Sequence, residues 1–147
     1  MTNKTLLGLA ARLVKENAFT EDEARSAILA ANTQNISLPT YLVEQSIITS
    51  RQLAEITSRE FGLPVLDIYA IDLQGIATDL VPIKLIKKHQ MIPLRSKGKN
   101  LFIAVTDPTQ ELALEDFRFN TGLIIHPIIV EEGKLGKTID KIADSYD

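Results

Sequence analysis

Few side chains in this sequence have the chemistry for catalysis or metal binding. Its 147 residues include two histidines, His89 and His126, and no cysteine. No carboxylate stands at helical ligand spacing with both histidines, and the lack of cysteine excludes disulfides and thiolate metal sites. We therefore predict no metal site and interpret each histidine as an ordinary surface or strand residue.

The segment from Gly133 to Thr138 ends in Gly-Lys-Thr, which is also how a phosphate-binding loop ends. That loop requires another glycine five residues before the glycine that precedes the lysine. The residue at that position is Glu131, so the backbone cradle for phosphate is missing. We interpret the segment as the polar start of a final helix.

Two adjacent carboxylates, Glu115 and Asp116, are the remaining candidates for acid–base chemistry. Neighbours in sequence point to different sides of a helix, so the two are poorly placed to work as a pair. No serine has a base near it in a recognised pattern. The sequence therefore predicts no catalytic residue and no cofactor-binding residue, and it predicts a solvated helix face here.

The chain is acidic overall but basic in one stretch. Its formal net charge is −3 and only 5% of its residues are aromatic, which argues against nucleic-acid partners. No acidic residue lies between Asp79 and Asp107, whereas six basic residues do: Lys84, Lys87, Lys88, Arg95, Lys97 and Lys99. This patch either docks an acidic partner or anionic ligand, or is a solvated helix with an edge hairpin whose lysines oppose strand aggregation. The sequence favours the second interpretation.

The elements that must position these side chains fall into two halves, of which the first is helical. Apolar residues recur at helical spacing from Leu6 to Val14, and Thr20 with Glu23 forms a capping box that starts a second helix. The pattern returns 29 residues later, where Thr49 and Gln52 form the equivalent capping box. We infer two tandem helix pairs that pack together, because one pair cannot bury its apolar stripe alone.

The second half is predicted to mix strands and helices. Gly62 and Pro64 end the helical part. The predicted elements are a strand-like segment over 65–68, a short helix from Val81-Pro82, strands over 91–94 and 101–105 around a hairpin loop at 96–100, a helix over about 110–120 capped by Asp107, a strand over 123–130 and a helix over about 134–143. Pro127 puts the last strand at a sheet edge or gives it a bulge. The predicted fold class is α+β, with a helical subdomain of two tandem helix pairs over 1–62 and a small α/β subdomain with a mixed sheet over 63–147.

One strand–turn–helix segment resembles a known family. Its residues are Leu101-Phe102-Ile103-Ala104-Val105-Thr106-Asp107-Pro108-Thr109, followed by Asp116-Phe117-Arg118-Phe119 and Thr121-Gly122. The A-V-x-D-P strand–turn and the F-x-x-x-T-G helix end are together similar to the N-terminal domain of type IV pilus assembly and secretion ATPases, the PilB, GspE and MshE family. Phe61-Gly62-Leu63-Pro64, Val81-Pro82 and His89 fit the same pattern in order, so the resemblance spans about Leu9 to Tyr146.

The resemblance implies a parent protein that is a hexameric cytoplasmic motor, hydrolysing ATP to extend pili or drive secretion. The family's Walker motifs and four-cysteine zinc site lie C-terminal to this module, so no catalysis and no cofactor are expected in this segment. The family uses the domain to couple the motor to the inner-membrane platform and to regulators. In some relatives a PilZ-type adaptor contacts it and brings in a FimX-like receptor for cyclic di-GMP.

The expected location is cytoplasmic, peripheral to the inner membrane through protein partners. No apolar run is long enough to span a bilayer, so direct membrane insertion is not expected. The first residues, Met1 to Thr5, lack the apolar core of a signal peptide.

A subset of the family, the MshE-type domains, binds cyclic di-GMP through two tandem motifs. Each motif begins Arg-Leu-Gly and has a second glycine seven residues after the first. The predicted helix pairs fall on these motifs, and the residues at the arginine and glycine positions are Gly8, Ala10 and Asn17 in the first copy and Ser37, Pro39 and Ser46 in the second. Arginine stacks on guanine or pairs with phosphate, and glycine lets backbone approach a ligand. The scaffold is therefore kept, and the ligand site is not.

The favoured hypothesis is a regulatory, protein-docking domain of a type IV pilus extension ATPase. The candidate contact residues are apolar side chains that a small helical unit need not bury completely: Phe19, Tyr41, Ile47 and Ile48. The alternative is that they belong to the core, since Phe19 and Ile48 also suit a hydrophobic staple. Two other functions stay open, a direct cyclic di-GMP receptor of the MshE class and the N-terminal domain of a type II secretion ATPase. A stand-alone enzyme is the weakest hypothesis, because no constellation of residues supports it.

Overall fold

The structure is a computed structural model that describes residues 6–72 and 78–145. Predictions that concern Met1 to Thr5 and Tyr146 lie outside these described residues. The elements in chain order are α1 (Gly8–Lys15), α2 (Glu21–Gln34), α3 (Leu38–Glu44), α4 (Ser50–Phe61), α5 (Ile83–His89), β1 (Ile92–Lys97), β2 (Asn100–Val105), α6 (Glu111–Thr121), β3 (Ile124–Ile129) and α7 (Glu132–Ser145). Two short 3-10 helices, Ile68–Ala70 and Thr78–Leu80, lie between α4 and α5. The predicted α+β class is confirmed.

The two tandem helix pairs begin at equivalent residues. Thr20 and Thr49 precede α2 and α4, and each side chain accepts a hydrogen bond from the backbone N–H three residues on. Glu23 and Gln52 each accept a hydrogen bond from the threonine N–H, over 3.0 and 3.2 Å, which closes both capping boxes. Because the two boxes stand 29 residues apart, the predicted repeat is confirmed.

The helix pairs pack into one apolar cluster. Leu9 and Leu13 of α1, Leu42 of α3 and Leu53 of α4 are each at most 2% exposed within it. A second cluster fills the α/β half around Phe117 and includes Ala54, so α4 contributes to both. The division into subdomains at 62 and 63 stays a prediction.

Ion pairs between α1 and the end of α4 cover the rim of the helical cluster. The Glu60 carboxylate accepts hydrogen bonds from the Arg12 guanidinium over 3.1 Å and from the Lys15 ammonium over 3.4 Å. These cations lower the pKa of Glu60, and the hydrogen bond from Arg12 is the largest cause. Arg59 forms an ion pair with Glu16 over 2.7 Å, in which the cation lies on α4 and the carboxylate lies at the end of α1. The two bridges hold the helices together at their ends.

The predicted strand at 65–68 is wrong. Val65 makes a single parallel bridge with Ile129, and the chain then turns into the 3-10 helix that begins at Ile68. The cause is Asp67, whose side chain accepts a hydrogen bond from the Tyr69 N–H over 3.0 Å and caps that helix. The extended segment therefore lasts only long enough to cover the end of β3.

The sheet is mixed, as predicted, with strand order β1-β2-β3. β1 and β2 form an antiparallel hairpin, and β3 lies parallel to β2 after the crossover through α6. Both hairpin strands extend into the predicted loop at 96–100, so only Gly98 and Lys99 connect them. Gly98 has a φ of 59°, a left-handed conformation that favours glycine.

Pro127 lies in an edge strand, as its position predicted. The Val130 N–H donates to the Val105 carbonyl, whereas the Ile129 N–H donates away from the sheet to Pro64 over 2.9 Å. Because backbone direction alternates along a strand, Pro127 also faces outward, where it has no N–H to offer. The outer edge of β3 is therefore protected against pairing with another strand.

Asp107 does not cap α6, so that prediction is wrong. Its Oδ1 accepts hydrogen bonds from the Thr109 N–H over 2.9 Å and from the Thr109 hydroxyl over 2.6 Å. The N-cap is Gln110, which makes no side-chain capping bond. Asp107 instead closes the turn that leads from β2 into the helix, a local role that aspartate shares with capping.

Among the described residues, no helix has the length and apolarity that crossing a bilayer demands.

Candidate functional site

The first arginine position of the tandem motifs has no room for a side chain. Gly8 has a φ of 63°, and a Cβ built there would lie 2.9 Å from Thr109 Oγ1. The Thr109 hydroxyl is itself held by Asp107 over 2.6 Å. An arginine at Gly8 would therefore meet both a strained left-handed backbone and a fixed neighbour. The structure thus gives a physical reason for glycine at this position.

At the glycine positions of the motifs, this chain has either a buried side chain or a residue that keeps the left-handed backbone conformation typical of glycine. Ala10 and Pro39 are buried, so they pack within the helix pairs and do not leave the backbone open to a ligand. Asn17 and Ser46, at the second glycine position of each copy, have φ values of 60° and 57°. The turns after α1 and α3 therefore keep the left-handed conformation that glycine adopts most easily.

A groove of about 660 Å³ lies between α3, α5 and the start of α6. We call it the α3–α5 groove. Its lining includes Ser37 and Pro39, which are motif positions of the second copy, and two exposed lysines, Lys87 and Lys88. No local sequence pattern could have located this groove, because its walls come from segments about 50 residues apart.

The predicted basic patch divides between two elements. Lys84, Lys87 and Lys88 are exposed on α5, and the three other basic residues, Arg95, Lys97 and Lys99, are exposed on the β1–β2 hairpin. β1 is an edge strand, so the hairpin half of the patch lies where lysine and arginine oppose strand pairing. The α5 half lies beside the α3–α5 groove instead.

The four predicted docking residues do not all reach the surface. Phe19 and Ile48 are 7% and 8% exposed and belong to the helical core cluster. Tyr41 is half-buried against the same cluster, and Ile47 is 43% exposed. The structure therefore brings Tyr41 and Ile47 to one surface, and only these two retain area that a partner could cover.

Ile47 stands between two shallow grooves on the helix pairs. The groove of about 340 Å³ between α2 and α3 is lined by Asp22, Glu23, Ser26, Ala27, Tyr41 and Ile47. The groove of about 270 Å³ toward α4 is lined by Ala18, Ile47, Ile48, Gln52, Glu55, Ile56 and Arg59. We call these two grooves and their residues the Ile47 surface. An apolar centre with a charged rim is the usual anatomy of a protein–protein contact.

The rim of the Ile47 surface is negative on the α2 side. Glu21, Asp22 and Glu23 form the first turn of α2. The capping box lowers the pKa of Glu23, chiefly through the hydrogen bond from the Thr20 backbone N–H. A partner that carries basic groups around an apolar contact would therefore complement this rim.

Both histidines have partners in the structure. His89 Nε2 lies 2.7 Å from Asp116 Oδ2, so this contact joins α5 to α6. His126 Nε2 lies 2.8 Å from Asn100 Oδ1 and joins β3 to β2. In the part of the chain that the structure describes, no group of three or more metal-binding side chains occurs.

The Gly-Lys-Thr segment lies inside α7. Thr138, which would be the hydroxyl of a phosphate-binding loop, is 2% exposed and donates to the Lys134 carbonyl over 2.8 Å. Lys134 lies 2.9 Å from Glu131 and 3.2 Å from Asp67, and these hydrogen bonds raise the pKa of Lys134. Lys134 therefore joins α7 to the start of the 3-10 helix Ile68–Ala70, in agreement with a polar helix start.

The comparisons with known proteins agree with the resemblance stated from the sequence. The chain is 36% identical over 140 residues to the type IV pilus assembly ATPase PilB of Pseudomonas aeruginosa, which covers 95% of this chain. It is 34% identical over 134 residues to the PilB of Acinetobacter baylyi, which covers 91% of this chain. The chain spans about a quarter of the length of these relatives, 25% and 23% respectively.

Two solved structures share the fold. A structure of MshE with cdg aligns with a TM-score of 0.66 at 22% identity, covering 92% of this chain and 99% of that chain. The N-terminal domain of XpsE aligns with a TM-score of 0.69 at 16% identity, covering 94% and 98%. The model of the family described as the MshEN domain matches residues 61–146, which contain the α/β half with its A-V-x-D-P turn. The chain belongs to the MshEN domain family.

Proposed function

We propose that this chain is the N-terminal regulatory and docking domain of a type IV pilus extension ATPase, and that it acts by binding proteins without catalysing a reaction. The observation that carries the proposal is Ile47, which is 43% exposed beside Tyr41 on a surface with a charged rim. The similarity to PilB over 95% of the chain supports the assignment to a pilus ATPase. The closed space at Gly8 and the buried Ala10 and Pro39 favour a protein partner over a nucleotide.

The proposed partner of the Ile47 surface is a PilZ-type adaptor. On binding, an apolar side chain of the adaptor would enter the groove beside Tyr41 and cover Ile47. A few central apolar and aromatic side chains carry most of the affinity of such contacts, so Ile47 is the proposed centre. A FimX-like receptor would join through the adaptor, which would bring cyclic di-GMP sensing to a domain that does not hold the nucleotide itself.

The parent protein is proposed to be a homohexameric ATPase in the cytoplasm, peripheral to the inner membrane through its platform protein. Docking on this domain would then control how the motor engages that platform. In the type II secretion alternative the same surface would contact a membrane-platform protein, and no PilZ-type adaptor would bind. The adaptor experiment therefore also separates these two systems.

Isothermal titration of the chain with the PilZ-type adaptor of the same organism tests the proposal. Ile47→Arg should weaken binding by about tenfold or more, because it puts a charge at the centre of the contact. Leu29→Arg is the matched control, since Leu29 lies on α2, is 68% exposed and lines neither groove. Equal affinity for both variants would refute docking at this surface. No binding by the natural chain would refute the adaptor as the partner and favour the type II secretion alternative.

A second candidate function is direct binding of cyclic di-GMP. The structural neighbour that holds cdg favours it, as does the α3–α5 groove with Lys87 and Lys88. Against it stand the buried Pro39 and the closed space at Gly8. Titration of cyclic di-GMP into the chain separates the two functions: we expect no binding in the micromolar range, and binding in that range would replace the docking proposal.

A further inference from the structure

The outer face of α6 exposes the two most accessible large apolar side chains of the described residues. Phe119 is 91% exposed and Leu112 is 84% exposed. They stand seven residues apart, which puts them on the same face of the helix about 10 Å apart along its axis. Phe119 belongs to the F-x-x-x-T-G segment, and the proposed docking at Ile47 does not use it. Exposed aromatic side chains of this size are typical of interaction surfaces.

The space between these two side chains is acidic. Glu115 pairs with Arg118, and Asp116 reaches across to His89. With Glu111, α6 carries three carboxylates against one guanidinium. The adjacent carboxylates therefore point to different partners, as their sequence positions predicted, and the face as a whole is negative.

This charge argues against pairing of α6 with a second α6. In an antiparallel pair, Phe119 of one helix would meet Leu112 of the other, and Glu115 would meet Asp116 of the other. Like charges placed opposite each other at a contact are unfavourable and suppress that partner. The surface that α6 fits therefore carries basic side chains beside an apolar contact.

The α3–α5 groove of the same chain has this chemistry. Its lining is mostly polar, but the half-buried apolar side chains of Ile36 and Leu38 belong to it, and the exposed Lys87 and Lys88 lie on its wall. Asp107, the carboxylate of this lining, is 7% exposed and accepts hydrogen bonds from Thr109. Among the described residues, neither lysine forms an ion pair. Phe119 does not occupy the groove of its own chain, since it is 91% exposed.

We propose that α6 of one copy docks in the α3–α5 groove of a second copy, with Phe119 over Ile36 and Leu38 and the α6 carboxylates beside Lys87 and Lys88. The two contacting surfaces differ, so the contact is head-to-tail and each copy keeps one free α6 and one free groove. Such contacts close into rings or continue as chains. The inference is independent of the adaptor proposal, because it uses neither Tyr41 nor Ile47.

Complementation between two variants tests this contact by sedimentation velocity at low salt. Phe119→Ser removes the docking side chain and leaves the groove intact, whereas the double variant Lys87→Glu, Lys88→Glu inverts the groove and leaves α6 intact. The natural chain should associate increasingly with concentration, and each variant alone should associate about tenfold or more weakly. An equimolar mixture should form one-to-one dimers that grow no further, because each dimer retains only one functional contact.

Leu29→Ser is the control for loss of an exposed apolar side chain, as Leu29 is 68% exposed on α2 and outside the groove. The Leu29→Ser variant should associate like the natural chain, and added salt should weaken the association of both proteins. Circular dichroism establishes that each variant is folded. A natural chain that stays monomeric at the highest attainable concentration, or a variant mixture that stays monomeric, overturns the proposal. Equal loss of association in the Leu29 variant overturns it as well.

Discussion

The contact between Gly8 and Thr109 predicts a specific loss of stability when a side chain is added at residue 8. In Gly8→Ala the new Cβ must adopt a φ near 63°, which costs about 1–2 kcal/mol for an L-residue. The same Cβ lies 2.9 Å from Thr109 Oγ1, so the hydroxyl must move. That movement breaks or weakens the 2.6 Å hydrogen bond from the hydroxyl to Asp107, and a hydrogen bond to a charged acceptor contributes about 1.5–3 kcal/mol to the free energy of unfolding. The expected total is about 2.5–5 kcal/mol.

A double-mutant cycle separates these two contributions. Thr109→Ala removes the hydroxyl, after which the nearest atom of residue 109 is its Cβ at 3.4 Å, an ordinary contact. In that background Gly8→Ala should cost only the backbone strain of about 1–2 kcal/mol. Urea unfolding of the four proteins gives each free energy of unfolding, and the predicted coupling between the two sites is about 1.5–3 kcal/mol.

A coupling below about 0.5 kcal/mol would refute the close contact, since the free-energy changes of substitutions at independent sites add within that limit. A cost of Gly8→Ala near zero would refute the strained backbone too. An arginine placed at residue 8 meets the same two obstacles. Gly8→Arg should therefore destabilise the domain and should not create binding of cyclic di-GMP.

Two further predictions concern charge and edge protection. The pKa of Glu60 is lowered from its ordinary value of 4.5, so its ion pairs stabilise the fold above that pH and are lost as the pH falls below it. In Glu60→Gln the midpoint of urea unfolding should therefore change less with pH across this acid range. If the dependence of the midpoint on pH is the same as in the natural chain, the role of Arg12 and Lys15 is contradicted. Pro127→Val adds an outward N–H to the edge of β3, so light scattering should show more association than for the natural chain, with little change in the free energy of unfolding. An unaltered tendency to associate would mean that other features protect this edge.

Much of the fold follows from signals that lie within a few residues of each other. The capping boxes at Thr20 and Thr49, and the left-handed glycines Gly62 and Gly122, mark helix ends through hydrogen bonds and φ angles that are local. Such signals are readable because no distant residue takes part. Both wrong predictions involve an aspartate whose side chain accepts a hydrogen bond from the backbone N–H two residues on. Asp67 starts a 3-10 helix where a strand was predicted, and Asp107 closes a turn where a helix cap was predicted.

The candidate docking residues show where local reasoning ends. Phe19 and Ile48 stand at the same position before the two capped helices and are both buried, whereas the equally apolar Ile47, one residue before Ile48, is 43% exposed. A side chain beside a capped helix can pack inward or face solvent, and the choice depends on which neighbouring helix covers it. Burial at these positions is therefore a property of how the two pairs pack together.

What the sequence by itself determined is the repeat and the order of helices and strands, since each depends on residue type and spacing along the chain. The tertiary structure alone decided that Gly8 is closed by Thr109, that Ile47 and Tyr41 share one surface, and that two lysines of α5 meet the start of α3 in a groove. The physical reason is distance along the chain. These contacts join residues from separate elements, and only the packing of the apolar clusters brings them together.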